Sequence, residues 1–195
     1  MNVRRFLLVL LLIGSIAAAP ATRPVLPREF EVTDLADKVH RPFAGDAKAV
    51  VLLFVGVECP VSNSYAPEIS RLANEFVARG IEFYVVYAGT DVTRDKAVKH
   101  AKDYVFSCPA VLDPHCDLAT AVGANTTLEA AVMLPDGSLV YRGRMDDQYI
   151  TFGKKRFAAT QHDLRDVLEA VAAGKPIEPR VTPVVGCMIV KPETK

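Results

Sequence analysis

The sequence predicts a single α/β domain in which a mixed central sheet carries helices on both faces. Two observations indicate this fold class. Apolar runs rich in β-branched residues, which are typical of buried strands, alternate with segments whose apolar residues recur at helical spacing. Two further apolar runs then flank an Asp-Gly pair, as in a β-hairpin, and a last helix follows them. This order is typical of a mixed sheet covered on both sides.

The first strand and helix have the clearest pattern. The run AVVLLFVG, which follows Lys48 and ends at Gly56, is apolar throughout, so we expect a strand buried on both faces. Residues 67–79 then place apolar side chains at helical spacing, and Gly80 follows as a C-cap. A helix therefore crosses over from the first strand.

The following elements repeat this alternation. The sequence predicts a strand at 81–87, a helix at 93–104, a short strand at 110–112 and a brief helix at 116–122. A hairpin is expected from 130–134 and 139–142, turning at Asp136-Gly137. Thr160 and Asp163 have the spacing of a capping box that opens the last helix, which ends at Gly174.

The two ends of the chain differ from this central region. Arg4 and Arg5 precede a short apolar run and a small-residue pattern, so 1–21 is predicted to be a secretory signal rather than a permanent anchor. Without that segment, which holds two arginines and no acid, the net charge falls from 0 to −2, which argues against a nucleic-acid partner. The domain is then expected at 22–174. Several prolines predict an extended tail at 175–195.

Export changes how the cysteines are interpreted, because disulfides persist outside the cytoplasm. Four cysteines allow three complete pairings. They are Cys59, Cys108, Cys116 and Cys187. None forms a CxxC pair, a CxxCH haem motif or a zinc-finger spacing with another, so neither a cofactor nor a metal is predicted.

Cys59 is the strongest candidate for chemistry. It lies between a buried strand and the first long helix, at the start of that helix, in the segment Gly56-Val57-Glu58-Cys59-Pro60. Unpaired N–H groups and the dipole at a helix start stabilise a thiolate. Glu58 would oppose this if its carboxylate pointed inward, because a nearby negative charge raises the pKa of a thiol.

Three segments of the chain resemble the thioredoxin-like redoxin superfamily over roughly residues 27–174. They are LFVGVECPVSNSYAPEISRL, VLD at 111–113 and VGANTTLEAAVMLPDGSLVYRGRMDD. That superfamily includes exported thiol-disulfide oxidoreductases and peroxiredoxins of the alkyl-hydroperoxide-reductase type. The resemblance implies a thioredoxin-like fold, with Cys59 as the attacking cysteine, Ser62 in place of the second cysteine of CxxC, and Pro67 matching a proline common in that helix.

Two positions depart from the family pattern. A Thr-Pro pair with a cis proline is replaced here by Thr127 and Leu128, and a non-proline cis bond is too costly to expect. Gly56 stands where peroxiredoxins have Thr or Ser, which removes a hydrogen-bonding group expected for peroxidase chemistry.

Because Ser62 cannot resolve a mixed disulfide, another thiol must act. Cys187 is a candidate, since an extended tail of thirteen residues beyond Gly174 reaches roughly 40 Å. A structural disulfide or a tail anchor is the other interpretation of Cys187. Cys108 and Cys116 are alternatives for the resolving role, with a static disulfide equally open for both.

The polar residues after the hairpin are less informative. Arg142, Arg144, Asp146 and Asp147 are interpreted as a solvated strand end. Arg144 is kept as a site candidate, because a guanidinium near Cys59 would favour the thiolate. His115 could be a metal ligand but is interpreted as a surface loop residue, and the other three histidines carry no signal. The segment 149–157 is an insertion of unassigned role.

The sequence therefore predicts an exported, periplasmic or extracellular thiol-disulfide oxidoreductase with Cys59 as the nucleophile. Its substrate would be a protein or small-molecule disulfide, or a peroxide, and an external thiol would supply electrons. Membrane association would arise only through an uncleaved N-terminal segment. The alternatives are a peroxiredoxin-like peroxidase and a non-catalytic binding module with structural disulfides.

Overall fold

The computed structural model describes residues 26–193. The predicted signal segment 1–21 lies outside these residues. Within them, no helix has the length and apolar character needed to cross a membrane.

The central sheet has six strands and contains both parallel and antiparallel pairs. Its members are β3 (Ala49–Phe54), β4 (Ile81–Ala88), β5 (Ala110–Asp113), β6 (Ala130–Met133), β7 (Leu139–Gly143) and β10 (Arg180–Val181). In space the order is β10-β7-β6-β3-β4-β5. The strands β3, β4 and β5 are parallel, whereas β6 runs antiparallel to β3 and β7 antiparallel to β6. The predicted mixed sheet is confirmed.

Two small sheets stand apart from it. One pairs β1 (Val32–Thr33) with β2 (Val39–His40), and the other pairs β8 (Tyr149–Thr151) with β9 (Lys154–Lys155). Neither pair was predicted, because each strand has only two or three residues.

Helices cover both faces of the sheet. They are α1 (Pro60–Ser64), α2 (Ala66–Val77), α3 (Arg94–Asp103), α4 (Asp117–Val122) and α5 (Asp163–Ala172). Alternate residues of β3 face two hydrophobic clusters. Val51 and Leu53 pack with α2 and α5, while Val50 and Leu52 pack with α4 and the segment that begins at Leu26.

Two helix predictions need correction. Cys59 precedes the five-residue α1, which ends before Tyr65, and not the long helix α2. The proposed capping box is also wrong, because His162 is the N-cap of α5 without a side-chain cap bond. The Thr160 hydroxyl instead donates to the Asp147 carboxylate, at 2.6 Å.

The C-terminal tail runs back across the sheet edge near Cys59. β10 pairs in parallel with β7, and the Thr182 amide donates to the Arg142 carbonyl at 3.0 Å. Further along, Thr126 and Met188 form an antiparallel bridge. The Ile189 amide then donates to the Asn125 carbonyl at 3.0 Å. These bonds place Cys187 beside the loop that leads into β6.

Candidate redox site

Cys59 lies where β3 gives way to α1. It is the N-cap of α1, with extended backbone (φ −85°, ψ 109°), and Pro60 occupies the first helical turn. Proline suits this position because the first helical N–H groups have no partner within the helix. The Cys59 residue is only 2% exposed, so its sulfur is largely withdrawn from solvent.

Thr127 contacts both Cys59 and Cys187. Its hydroxyl donates a hydrogen bond to Cys59 Sγ at 3.1 Å and accepts one from the Cys187 amide at 3.0 Å. The Thr127 amide in turn donates to the Cys187 carbonyl at 2.8 Å. The structure therefore brings together three predicted site residues: Cys59, Thr127 and Cys187.

The pKa values of the Cys59 and Cys187 thiols are shifted in opposite directions. Burial by itself raises the pKa of Cys59, but hydrogen bonds from the Cys187 and Thr127 side chains and from backbone amides at Ser62 and Cys187 outweigh it, so this pKa lies below its ordinary value. Burial, the hydrogen bond to Cys59 and the negative charge there raise the pKa of Cys187 to about 11. Cys59 is thus the more acidic of the two thiols, and Cys187 is the one that holds its proton more strongly.

Close packing explains the glycine at position 56. A Cβ at Gly56 would lie 2.9 Å from Thr127 Cγ2 and 3.0 Å from Cys59 Cβ. The Gly56 amide donates to the buried Ser62 hydroxyl at 3.3 Å, so Ser62 holds the turn before Cys59. A threonine at position 56, as in peroxiredoxins, would have to displace Thr127 from its place against the sulfur.

The tail also approaches through a glycine. A Cβ at Gly186 would lie 2.0 Å from the Thr127 carbonyl oxygen. Only a residue without a side chain lets the tail backbone come this close to the loop.

The loop that carries Thr127 is held by unusual backbone and a buried carboxylate. Leu128 has φ +66°, and its amide donates to the Phe54 carbonyl. No cis peptide bond occurs among the described residues. Glu129 accepts hydrogen bonds from the Asn125 and Thr126 amides at 3.0 and 3.3 Å and pairs with Arg142. These contacts replace what a proline would otherwise fix.

Glu58 does not oppose the thiolate. Its carboxylate is largely exposed and lies 3.6 Å from the Lys96 ammonium. Both residues line an open cleft of about 230 Å³ that also reaches Cys59, Val92 and Met188. Cys59 is therefore approached through a cleft with apolar walls and a charged rim.

A buried hydrogen-bond chain behind Cys59 was missed by the sequence analysis, which found no signal in His100. The Tyr87 hydroxyl bonds His100 Nδ1 at 2.8 Å, and His100 Nε2 bonds Asn63 Oδ1 at 2.9 Å. The Asn63 amide group donates to the Val57 carbonyl at 3.1 Å. This chain fastens the turn before Cys59 to α3. The charged neighbours of His100 in sequence concealed it, because only the fold turns this imidazole inward.

Arg144 does not lie against Cys59. Its Nε donates to the Asp163 carboxylate at 2.8 Å, and its Nη2 bonds Gln161, so the guanidinium fastens β7 to the start of α5. Asp147 is only 4% exposed, which also corrects the interpretation of this region as a solvated strand end.

The two remaining cysteines belong to different parts of the core. Cys108 packs in the cluster with α2, where burial raises its pKa to about 12, and Cys116 packs in the cluster on the opposite face. All four cysteines are free thiols in this structure. Within residues 26–193, no three His, Cys, Asp or Glu side chains gather as a metal site would require.

The sequence matches the profile of one known protein family. The sequence profile of the AhpC/TSA family matches residues 26–143, more than half of the 195-residue chain. The chain belongs to the AhpC/TSA family. This confirms the resemblance to thioredoxin-like redoxins. The matched part of this AhpC/TSA protein includes Cys59 and Thr127 but ends well before Cys187.

Solved structures share the fold of this AhpC/TSA protein. A hypothetical protein from Sinorhizobium meliloti 1021 is 22% identical, with a TM-score of 0.74 over 90% of this chain and 98% of its own. An uncharacterized conserved protein from Geobacillus kaustophilus is 23% identical, with a TM-score of 0.74 over 92% and 100%.

A third similar structure has a described activity. It is a secreted Mycobacterium tuberculosis disulfide oxidoreductase homologous to E. coli DsbE, which is 16% identical, with a TM-score of 0.51 over 75% of this chain and 96% of its own. At these identities the likeness shows the thioredoxin-like fold. A search of curated proteins found no match.

Proposed function

We propose that this protein is an exported thiol-disulfide oxidoreductase in which Cys59 is the nucleophile and Cys187 the second thiol. The contact of both cysteines with Thr127 carries the proposal. The Thr127 hydroxyl donates a hydrogen bond to Cys59 Sγ and accepts one from the Cys187 amide, so it holds the two thiol residues side by side. Such a pair is what two-electron disulfide exchange requires.

The first step uses the charge on Cys59. The thiolate attacks one sulfur of a substrate disulfide, which forms a mixed disulfide with Cys59 and releases the other substrate sulfur as a thiolate that takes up a proton. The hydrogen bonds that lower the pKa of Cys59 keep it in the attacking form.

The second step uses Cys187. While Cys59 is a thiolate, its negative charge helps to keep Cys187 protonated. That charge disappears when Cys59 enters the mixed disulfide, so the pKa of Cys187 falls and its thiol loses a proton more readily. The Cys187 sulfur then attacks Cys59 Sγ and releases the second substrate thiolate. The products are a Cys59–Cys187 disulfide and a substrate reduced by two electrons, and an external dithiol reduces the protein again.

Peroxide reduction is the second candidate, because the chain belongs to the AhpC/TSA family and its sequence resembles a superfamily that includes peroxiredoxins of the alkyl-hydroperoxide-reductase type. Two local features argue against it. Gly56 leaves no hydroxyl at the position three residues before Cys59. Thr127 is the hydroxyl that contacts the sulfur, and it is already engaged by the tail.

Insulin reduction with dithiothreitol as electron donor tests the proposal. We expect Cys59→Ser to abolish the activity. Cys187→Ser should accumulate a mixed disulfide between Cys59 and substrate, detectable by mass spectrometry of the intact protein. Cys108→Ser is the matched control and should behave as wild type. Reduction of insulin by Cys59→Ser would refute the proposal, and hydrogen peroxide turnover faster than insulin reduction would favour the peroxidase. If Cys59 resists both alkylation and exchange in the native state, the binding-module hypothesis gains instead.

A further inference from the structure

A solvent-exposed hairpin in contact with α1 has no role in the chemistry above. Residues 148–158, here called the basic hairpin, contain the antiparallel strands β8 and β9, which pair with each other and not with the central sheet. The sequence analysis found an insertion here without a role.

The basic hairpin exposes large apolar side chains. Ile150 is 41% exposed, Phe152 is 59% exposed and Phe157 is fully exposed. Single exposed apolar residues are ordinary on protein surfaces, but a group of them on one hairpin is typical of a site that contacts another molecule.

A rigid base supports the basic hairpin. The Asp147 carboxylate accepts hydrogen bonds from the Thr160 and Gln161 amides at 2.6 and 2.9 Å and from the Thr160 hydroxyl. The Arg156 guanidinium donates to the Asp147 carbonyl at 2.5 Å. These bonds close the base of the basic hairpin, so its apolar side chains are presented in a fixed arrangement at low entropic cost.

The basic hairpin is fastened to the element that begins at Cys59. The Tyr149 hydroxyl lies 3.2 Å from Ser64 Oγ, and the ring centroids of Tyr149 and Tyr65 are 5.9 Å apart. Ser64 is the last residue of α1, five positions after Cys59, which corresponds to about 7.5 Å along a helix axis. A molecule bound to the basic hairpin is therefore within reach of the redox site.

The charge of the basic hairpin is one-sided. It contains Lys154, Lys155 and Arg156 and no acidic residue, in a chain whose net charge is 0. Neither lysine has an ion-pair partner among residues 26–193, and Lys155 lies 5.8 Å from the centre of the Tyr149 ring. Exposed cations beside apolar side chains are complementary to a surface that combines carboxylates with apolar residues.

We propose that the basic hairpin docks an acidic, apolar polypeptide segment of the protein whose disulfide is exchanged at Cys59. The substrate class would then be acidic protein disulfides rather than small disulfides. The inference rests on the proposed function for the exchange step, whereas the docking itself depends only on the hairpin.

Two synthetic peptides of equal length test the docking. Both carry one intramolecular disulfide and the same apolar residues, and they differ only in having four glutamates or four lysines. We expect the reduced protein to reduce the acidic peptide about tenfold faster than the basic one at low salt, with the difference shrinking as salt is added. Lys154→Glu/Lys155→Glu should abolish or reverse this preference. Phe152→Ala/Phe157→Ala should slow reduction of the acidic peptide at high salt as well.

Hydroxyethyl disulfide, which is small and uncharged, separates docking from chemistry. Both double variants should reduce it at the wild-type rate. The matched control is Lys38→Glu/Lys175→Glu, which changes charge equally on two exposed lysines outside the basic hairpin, one between β1 and β2 and one just after α5, and should leave the peptide preference unchanged. Circular dichroism checks that each variant is folded.

The outcomes are distinguishable. If wild type reduces neither the peptides nor hydroxyethyl disulfide, the proposed function fails. Docking is then measured with fluorescent peptides in which serine replaces cysteine, where tighter binding of the acidic peptide to wild type than to Lys154→Glu/Lys155→Glu still supports the docking surface. Equal rates or equal binding for acidic and basic peptides would overturn it. So would sedimentation with phosphatidylglycerol vesicles in the absence of any peptide preference, since that would assign the hairpin to a lipid surface.

Discussion

The hydroxyl of Thr127 offers the sharpest test of how the site makes a thiolate. Thr127→Val removes the donor to Cys59 Sγ and the acceptor of the Cys187 amide while keeping the shape of the side chain. We therefore expect the pKa of Cys59 to rise. The protein should also lose stability, because the Cys187 amide loses its hydrogen-bond partner.

The magnitude follows from the difference between charged and neutral hydrogen bonds. A hydrogen bond to a charged group contributes about 1.5–3 kcal/mol, compared with about 0.5–1.5 kcal/mol for a neutral pair. Loss of the Thr127 donor thus disfavours the thiolate relative to the thiol by about 1 kcal/mol. At a pH below the wild-type midpoint, the thiolate population and the alkylation rate should fall about fivefold. The unpaired amide adds about 1–3 kcal/mol of destabilisation.

The assay is the pH dependence of iodoacetamide alkylation at Cys59, with the modified site located by peptide mapping. Thr127→Ser retains the hydroxyl and should stay within about twofold of wild type, since it keeps both hydrogen bonds. Urea unfolding of the three proteins reports the loss of stability. An unchanged alkylation midpoint in Thr127→Val would refute the assignment of the Thr127 hydroxyl as a thiolate donor.

Three further predictions concern the surroundings of the site. Gly56→Thr should lower the free energy of unfolding by about 1–3 kcal/mol in a urea titration, because its Cβ would crowd Thr127, and wild-type stability would show that the site has room for a peroxiredoxin-type hydroxyl. Leu128→Pro should cost about 3 kcal/mol or more, since proline cannot adopt a φ of +66° or donate to the Phe54 carbonyl, whereas Leu128→Gly keeps that donor; an intact, equally stable proline variant would contradict the observed loop. Burial raises the pKa of Asp34, but hydrogen bonds from the His40 imidazole and from backbone amides outweigh it, so this pKa lies below its usual value in the folded protein. The stability that Asp34 contributes is therefore present above its unfolded pKa and is lost as pH falls through its folded pKa. Asp34→Asn should be less stable than wild type at neutral pH, and plots of unfolding free energy against pH for the two proteins should converge in acid.

The sequence was most informative where local chemistry and position coincide. Cys59 follows a fully apolar strand and precedes a proline, and this pattern alone places it at a strand-to-helix junction. The resemblance then placed Thr127 among the site residues, at the position of the family's Thr-Pro pair. Both predictions depend on short-range sequence pattern and on strand order, neither of which depends on how distant side chains pack.

Other contacts depend on how distant side chains meet. Thr160 and Asp163 have a capping-box spacing, yet the buried Asp147 carboxylate takes the Thr160 hydroxyl because the loop folds over it. Chain length showed only that Cys187 could reach the site. Its actual position comes from pairing of the tail with β7 and with Thr126, and a two-residue strand such as β10 gives no periodicity to detect.

The proposed pair of Cys59 and Cys187 joins two parts of the chain that are more than a hundred residues apart. In a CxxC motif the closed loop is tiny, so oxidation constrains the unfolded chain little. A disulfide between Cys59 and Cys187 would restrict the unfolded chain of a loop of this size by about 4–5 kcal/mol on the chain-entropy argument. The folded protein already holds the two sulfurs in place, so by thermodynamic linkage the disulfide is harder to reduce in the folded protein than in the unfolded chain. The resistance of this disulfide to reduction therefore depends on the C-terminal tail being held against the sheet. Proteolytic cleavage of the tail would lower it.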